Sequence, residues 1–221
     1  MMTLQEQSTA LDSAAEALGL ALSPDQRDLL LRYLALIAKW TKVYNLTALR
    51  DPAEMLSHHL VDSMAAVPAL QRRLAERGVP EGEGVALLDV GSGAGLPGIV
   101  FAILCPGLAV TCVDTVAKKA AFIQQVAAEL RLPRLRGLHA RVEAVQAEFD
   151  IVSSRAFASL VDFTTWSLGA MRPDAVWMAM KGREPVDEVA ALPANVEVFH
   201  VEQLVVPGLD AQRCVVWMRQ R

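Results

Sequence analysis

The strongest constraint on the fold is a glycine-rich segment at residues 89–95, with the sequence DVGSGAG. It follows an apolar run at 85–90 and precedes a stretch with helical spacing at 99–104. Glycines between a strand and a helix allow a tight turn and let a ligand approach the backbone closely. The segment therefore predicts a ligand-binding loop at the carboxyl end of a buried strand.

The spacing of the glycines separates two classes of cofactor. Dinucleotide-binding enzymes use G-x-G-x-x-G, whereas this chain has G-x-G-x-G, with Leu96 in the place of the third glycine. A second apolar run at 108–113 ends at Asp114, where a carboxylate can bind both hydroxyls of a ribose. This order of strand, glycines, helix, strand and acid resembles class I S-adenosylmethionine-dependent methyltransferases. The alternative interpretation is a glycine-rich turn with a strand-end aspartate that caps a helix.

Apolar runs alternate with helical segments along the rest of the chain, including further runs at 149–154 and 175–180. Strands that are continuously apolar and separated by helices indicate a parallel sheet covered on both faces. Residues 195–206 and 214–218 predict two strands joined by a short loop, which would form an antiparallel hairpin. We therefore expect an α/β, Rossmann-like fold with a mainly parallel sheet and an antiparallel C-terminal hairpin.

The first 80 residues have a different, helical pattern. Ser23, Pro24 and Gln26 form a helix start with a capping box, and apolar residues recur at helical spacing after them. A loop rich in glycine and charge at 78–84 then separates this part from the strands. We expect an N-terminal helical extension at 1–80 and a methyltransferase domain at 81–221, together forming one compact unit.

Composition argues against several classes of protein. The chain has 221 residues, a net charge of -4 and only three, widely spaced cysteines, so neither a disulfide framework nor a metal site is indicated. No apolar stretch is long enough to span a bilayer, and the N-terminus does not resemble a secretory signal. The acidic total gives no support to nucleic-acid binding, which would have to come from a local patch. We expect a cytoplasmic monomer.

Several stretches together resemble one family, the bacterial glucose-inhibited division protein B family of 16S ribosomal RNA guanine-N7 methyltransferases. They occur in the family's order between about residues 30 and 185. These stretches are YNLTA at 44–48, HLVDS at 59–63, the glycine loop with GLPGI at 95–99, RVE at 141–143, SRAFASL at 154–160 and KG at 181–182.

The resemblance implies a cofactor, a partner and a set of site residues. The cofactor is S-adenosyl-L-methionine and the partner is 16S ribosomal RNA of the small ribosomal subunit. Cofactor-binding residues would be Asp89, Gly91, Gly93, Gly95, Leu96, Asp114, Val142, Glu143 and Arg155. Separately from the resemblance, Lys118, Lys119, Arg141 and Lys181 could belong to a basic face that binds RNA phosphates, the alternative being an ordinary solvated surface. The family often has an arginine where this chain has Lys119.

Guanine N7 carries a lone pair, so it needs no deprotonation before it attacks a methyl group. The site is therefore expected to work by alignment of the reactants, with Arg155 as the catalytic side chain. On the sequence alone we expect Arg155→Ala to leave the fold intact and to remove most activity. Two other functions stay open: a small-molecule methyltransferase, which shares the glycine loop and Asp114, and a non-catalytic cofactor-binding or assembly protein. His59 with Asp62 forms either an RNA contact or a buried structural pair.

Overall fold

The computed structural model describes residues 2–221 and contains one seven-stranded sheet with the strand order β3-β2-β1-β4-β5-β7-β6. The strands are β1 (Ala86–Val90), β2 (Ala109–Asp114), β3 (Leu135–His139), β4 (Phe149–Arg155), β5 (Met171–Lys181), β6 (Val196–Leu204) and β7 (Arg213–Gln220). The first five are parallel, and β7 pairs antiparallel with both β5 and β6. This confirms the α/β fold class and the C-terminal hairpin.

The helices lie mainly before the sheet and between its strands. They are α1 (Leu4–Ala17), α2 (Pro24–Tyr44), α3 (Pro52–Met55), α4 (Asp62–Met64), α5 (Val67–Glu76), α6 (Gly98–Leu104), α7 (Ala117–Glu129), α8 (Leu160–Ser167) and α9 (Val186–Ala190). A π-helical segment, Leu56–Val61, joins α3 to α4. No helix within residues 2–221 is both long and apolar enough to cross a membrane.

The strand β3 is the element that the sequence pattern does not reveal. Only Leu135 in it is fully buried, because β3 is an edge strand and pairs with β2 alone. Its Gly137 looks like a strand breaker, yet a Cβ there would lie 2.4 Å from the Ala120 carbonyl oxygen of α7. The glycine therefore allows close packing of helix on strand instead of ending the strand.

The start of α2 has the predicted capping box. The Ser23 side chain accepts a hydrogen bond from the Gln26 amide, and the Gln26 side chain accepts one from the Ser23 amide. Two of the orphan donors at this helix end are thereby satisfied. The helix ends at Asn45, which has a left-handed conformation with φ of 50°.

The helical extension packs on the same apolar core as the sheet. Buried residues of α1 and α2 belong to one cluster with those of β1, β2 and α6. The fully buried Tyr33 of α2 also donates a 2.7 Å hydrogen bond to the Ala94 carbonyl oxygen in the glycine loop. The extension therefore supports the loop directly, and we propose that residues 1–221 form one compact unit.

We expect Tyr33→Phe to lower the free energy of unfolding by about 1–2 kcal/mol, because it leaves the buried Ala94 carbonyl without its donor. Thermal and urea denaturation would measure the loss. Tyr44→Phe is the matched control, because that residue is 42% exposed and its hydroxyl can bond to water. Equal stability of the Tyr33 and Tyr44 variants would contradict the importance of this hydrogen bond.

Candidate active site

The strand order reverses between β1 and β4, which lie side by side in the middle of the sheet. In open parallel sheets, ligands bind outside the carboxyl ends of the strands at such a switch point. The chain places Gly91 immediately after β1 and Arg155 at the end of β4. Topology thus brings the glycine loop and the predicted catalytic arginine to one edge of the sheet.

The glycine loop needs its glycines for two different reasons. Gly91, Gly93 and Gly95 all have positive φ, between 60° and 90°. A Cβ on Gly91 would lie 2.3 Å from the Phe157 ring, and one on Gly95 would lie 2.3 Å from Ile99. Gly91 therefore admits an aromatic ring at the site, whereas the buried Gly95 admits the packing of α6.

Asp89 lies beneath the loop and is fully buried. Its carboxylate accepts 3.0 Å hydrogen bonds from the Gly98 amide and from the Ser153 hydroxyl. Burial raises the pKa of Asp89 to about 7, against the opposing effect of these hydrogen bonds. Asp89 thus supports the loop from below, and a direct contact of Asp89 or Gly95 with the cofactor stays a prediction.

One cavity opens beside the end of β2, and we call it the Asp114 cavity. Its volume is about 320 Å³. The Asp114 carboxylate at its edge accepts hydrogen bonds from the amides of Gly93, at 3.0 Å, and Val116, at 2.9 Å. The remaining lining includes Gly91, Lys119, Arg141, Val142, Glu143, Phe157 and Trp166.

A second cavity lies on the other side of Gly91, and we call it the Arg155 cavity. Its volume is about 560 Å³. It is lined by the glycine loop, by the ends of β4 and β5, and by the helical extension. Its side chains include Thr47, His58, His59, Asp62, Leu96, Arg155, Lys181 and Arg213.

A buried carboxylate, Asp62, holds two arginines at the edge of the Arg155 cavity. Arg155 donates to one of its oxygens at 2.7 Å, and Arg213 donates to the other at 2.6 Å. Arg155 also donates to the His58 carbonyl oxygen at 2.9 Å. Because Arg155→Ala would remove one cation from a carboxylate with a 4% exposed side chain, we now expect that variant to lose stability as well as activity.

His59 and Asp62 each bond to a different group. The His59 Nε2 atom lies 2.8 Å from the Thr47 hydroxyl. Burial, followed by the charge of Arg155, lowers the pKa of His59 to about 4. His59 is therefore neutral at physiological pH and bonds within the helical extension, whereas Asp62 attaches the extension to the edge of the sheet.

The four cations assigned to RNA are distributed over three places. Lys119, 3.6 Å from Asp114, and Arg141 line the Asp114 cavity, whereas Lys118 lies over the Tyr44 ring. Lys181 is only 14% exposed, because it pairs with Glu188 at 2.8 Å and donates to the Ala158 carbonyl oxygen at 3.1 Å. It thereby holds the loop after β4, in which Ala156 and Ala158 have positive φ.

Sequence reasoning missed three residues of this site. Arg213 stands alone before an apolar strand. Nothing near it in the sequence indicates that it pairs with the distant Asp62 at the edge of a cavity. Phe157 and Trp166 meet edge to face at the Asp114 cavity, with ring centroids 6.1 Å apart. Phe157 lies inside one of the stretches that resemble the family, so the sequence could have indicated Phe157 as a site residue. Its contact with Gly91 could not be predicted from the sequence.

Comparison with known proteins identifies the family. A family model described as GidB, rRNA small subunit methyltransferase G, matches residues 26–216. The chain belongs to the rRNA small subunit methyltransferase G family. It is 64% identical to the Ribosomal RNA small subunit methyltransferase G of Polaromonas naphthalenivorans (strain CJ2), over 98% of this chain and 97% of that one. The protein of the same name from Acidovorax sp. (strain JS42) is 63% identical, over 95% and 94% of the two chains.

Solved structures agree on the fold. TrmN from Thermus thermophilus superposes with a TM-score of 0.57 and 19% identity, over 75% of this chain and 53% of TrmN. The 16S rRNA N2 methyltransferase RsmC of T. thermophilus, solved with AdoMet and guanosine, gives a TM-score of 0.54 and 20% identity over 72% and 43%. Both likenesses confirm a class I methyltransferase fold, and membership of the G family decides against a small-molecule methyltransferase.

The raised pKa of Asp89 predicts a pH dependence of stability. The folded protein keeps Asp89 protonated up to about pH 7, whereas the unfolded chain ionises it near pH 3.8. The contribution of Asp89 to the free energy of unfolding is therefore complete below pH 3.8 and is lost as the pH rises through 7. We expect wild type to lose about 3 kcal/mol relative to Asp89→Asn between pH 4 and 7.

Urea denaturation of both proteins at several pH values would measure this difference. The pKa of His59 is lowered, so its stabilisation is lost as the pH falls towards 4, which is the opposite direction. Because wild type and Asp89→Asn both contain His59, its contribution cancels in their difference. Asp187→Asn, at an exposed position in α9, is the control. A difference between wild type and Asp89→Asn that stays constant with pH would show that Asp89 is ionised throughout.

Proposed function

We propose that this protein transfers a methyl group from S-adenosylmethionine to N7 of one guanine in 16S ribosomal RNA. The observation that carries the proposal is the position of Gly91, which borders both the Asp114 cavity and the Arg155 cavity. A donor in one cavity and an acceptor in the other would both lie against this residue, which has no side chain. Membership of the rRNA small subunit methyltransferase G family supports the same reaction.

The Asp114 cavity fits an adenosine. Asp114 is only 6% exposed, and its two oxygens can accept from two ribose hydroxyls beside the amides that they already hold. Val142 and Glu143, in a short 3-10 turn, supply an apolar surface and an acceptor for the base. Open space lies where a Cβ on Gly93 would be, so the loop leaves room for the rest of the donor.

S-adenosylmethionine, when bound, supplies an electrophilic methyl group on sulfur. The chain's own residues then have to hold a guanine with N7 in line with that methyl group, since N7 needs no general base. Arg155 and Arg213 present guanidinium groups to the Arg155 cavity, and one carboxylate orients both. Guanidinium groups suit the O6 atom of guanine and phosphate oxygens, which are both acceptors.

The polar groups of the Arg155 cavity provide hydrogen-bond donors and no evident general base. His59 is neutral because burial lowers its pKa to about 4, so it adds no positive charge next to Arg155. Asp62 is paired with two cations at once. Rate enhancement in this site therefore comes from a fixed arrangement of hydrogen-bond donors and not from proton transfer.

Methyl transfer from labelled S-adenosylmethionine to small ribosomal subunits tests this function. The acceptors are subunits from a strain that lacks the gene, compared with subunits from its parent strain. Label only in the deficient subunits, mapped to one guanine N7, is the expected result. No label, with cofactor binding shown independently by calorimetry, would contradict the proposed function.

We expect Arg155→Lys to keep the fold and to lower kcat roughly 100-fold, because lysine retains the charge beside Asp62 but not the planar fork that fixes geometry. Single-turnover methyl transfer and thermal denaturation would be measured together. Arg136→Lys, at an exposed position of β3, is the control for an arginine–lysine exchange. Wild-type turnover in Arg155→Lys would show that Arg155 only supports the fold.

We further propose that the protein acts as a monomer in the cytoplasm. The Arg155 cavity is completed within one chain, by residues between Leu46 and Arg213, so catalysis requires no second subunit. A ribosomal RNA substrate also requires access to small subunits or their precursors, which are in the cytoplasm of a bacterium. Sedimentation of the active protein would determine its oligomeric state.

A further inference from the structure

Positive charge is concentrated in two segments of this otherwise acidic protein. Residues 29–50, in α2 and the following turn, and residues 115–128, in α7, contain no aspartate or glutamate. The other 15 lysines and arginines share the rest of the chain with all 25 acidic residues. The cations of the two segments are Arg32, Lys39, Lys42, Arg50, Lys118 and Lys119.

The two segments meet around an exposed aromatic ring. Tyr44, the last residue of α2, is 42% exposed, and the Lys118 Nζ atom lies 5.3 Å from the centroid of its ring. Trp40 packs against Tyr44 at 5.1 Å and against the buried Phe122 at 5.4 Å, so the ring has a support that leads into the core. Val43 and Val116 beside it are 69% and 43% exposed.

We call this patch the Tyr44 surface; its residues are Lys39, Val43, Tyr44, Val116 and Lys118. It adjoins both cavities of the active site. Leu46 and Thr47, just after Tyr44, line the Arg155 cavity, and Val116 lines the Asp114 cavity. Any long substrate that reaches the Arg155 cavity therefore has a surface beside it that is cationic, aromatic and partly apolar.

The turn after Tyr44 is held by side-chain hydrogen bonds. Arg50 donates to the Asn45 side-chain oxygen at 2.7 Å and to the Thr41 carbonyl oxygen at 3.1 Å. The left-handed Asn45 ends α2 directly after Tyr44. This arrangement fixes the ring, which lowers the entropic cost of binding a ligand on it.

We infer that the Tyr44 surface binds an unpaired nucleotide that flanks the target guanine, with its base stacked on Tyr44 and its phosphates on the lysines. An exposed aromatic ring among cations is the usual platform for single-stranded nucleic acid. The flexible stem of Lys118 lets its ammonium group move from the ring to a phosphate while a base takes its place. This inference rests on the proposed function, because it identifies how the same RNA is held.

The test is steady-state methyl transfer to small subunits from a strain that lacks the gene. We expect Tyr44→Ala to raise KM about tenfold, within the range of one lost stacking contact, with kcat and S-adenosylmethionine affinity near wild type. Tyr44→Phe, which keeps the ring, should restore KM. Lys118→Gln should lower the slope of log binding constant against log salt concentration by about one unit, as expected for one lost phosphate contact.

The chain offers a matched control at the other edge of the sheet. Phe199 in β6 also lies under cations, with the guanidinium groups of Arg73 and Arg219 at 5.0 Å and 5.3 Å from its centroid. Phe199→Ala should leave KM unchanged, and thermal denaturation would confirm that both alanine variants are folded. An equal rise in KM for both variants, or none for Tyr44→Ala, would overturn the inference.

A second measurement separates RNA from an anionic membrane and from failure of the proposed function. Binding of a short unpaired RNA, of its duplex and of vesicles of phosphatidylserine and phosphatidylcholine is measured for wild type and Tyr44→Ala. If Tyr44→Ala binds the unpaired RNA more weakly than wild type but binds the duplex and the vesicles equally well, the inference is supported, even if wild type methylates no subunit. Loss of vesicle binding with unchanged RNA binding would assign the surface to a membrane and overturn it.

Discussion

The carboxylate of Asp62 connects three parts of the chain that are far apart in sequence. It accepts one hydrogen bond from Arg155 at the end of β4 and another from Arg213 at the start of β7. A buried carboxylate is costly without compensation, so the two guanidinium groups and the helix that carries Asp62 depend on one another for their positions. The Arg155 cavity exists because this three-way contact holds the helical extension against the carboxyl edge of the sheet.

The π-helical segment before Asp62 belongs to the same arrangement. An extra residue in a helical turn rotates the side chains that follow it, and such turns occur often at functional sites. Here the segment Leu56–Val61 carries His59 towards Thr47 and leads directly into Asp62. The carbonyl oxygen of His58, in the same segment, accepts a hydrogen bond from Arg155. The position of the Arg155 side chain therefore depends both on the π-helical geometry and on ion pairing with Asp62.

The sequence predicted those elements whose causes are local. The capping box at Ser23, the glycine loop and the acid at the end of β2 are each read from a few neighbouring residues, and the structure has all three. The edge strand β3 was not predicted, because an edge strand with one fully buried residue and a central glycine lacks the apolar run of an inner strand. Arg213 was not predicted either, because its partner is 151 residues away and no local pattern encodes that distance.

The distance in sequence between Asp62 and Arg213 also determines when the site can form. A ribosome has to add 151 residues after Asp62 before Arg213 can reach it. Long-range contacts of this kind form late in folding, because they close a large loop of chain. A nascent chain that stops short of β7 can therefore bury much of the core beneath the glycine loop, but its Arg155 cavity remains incomplete.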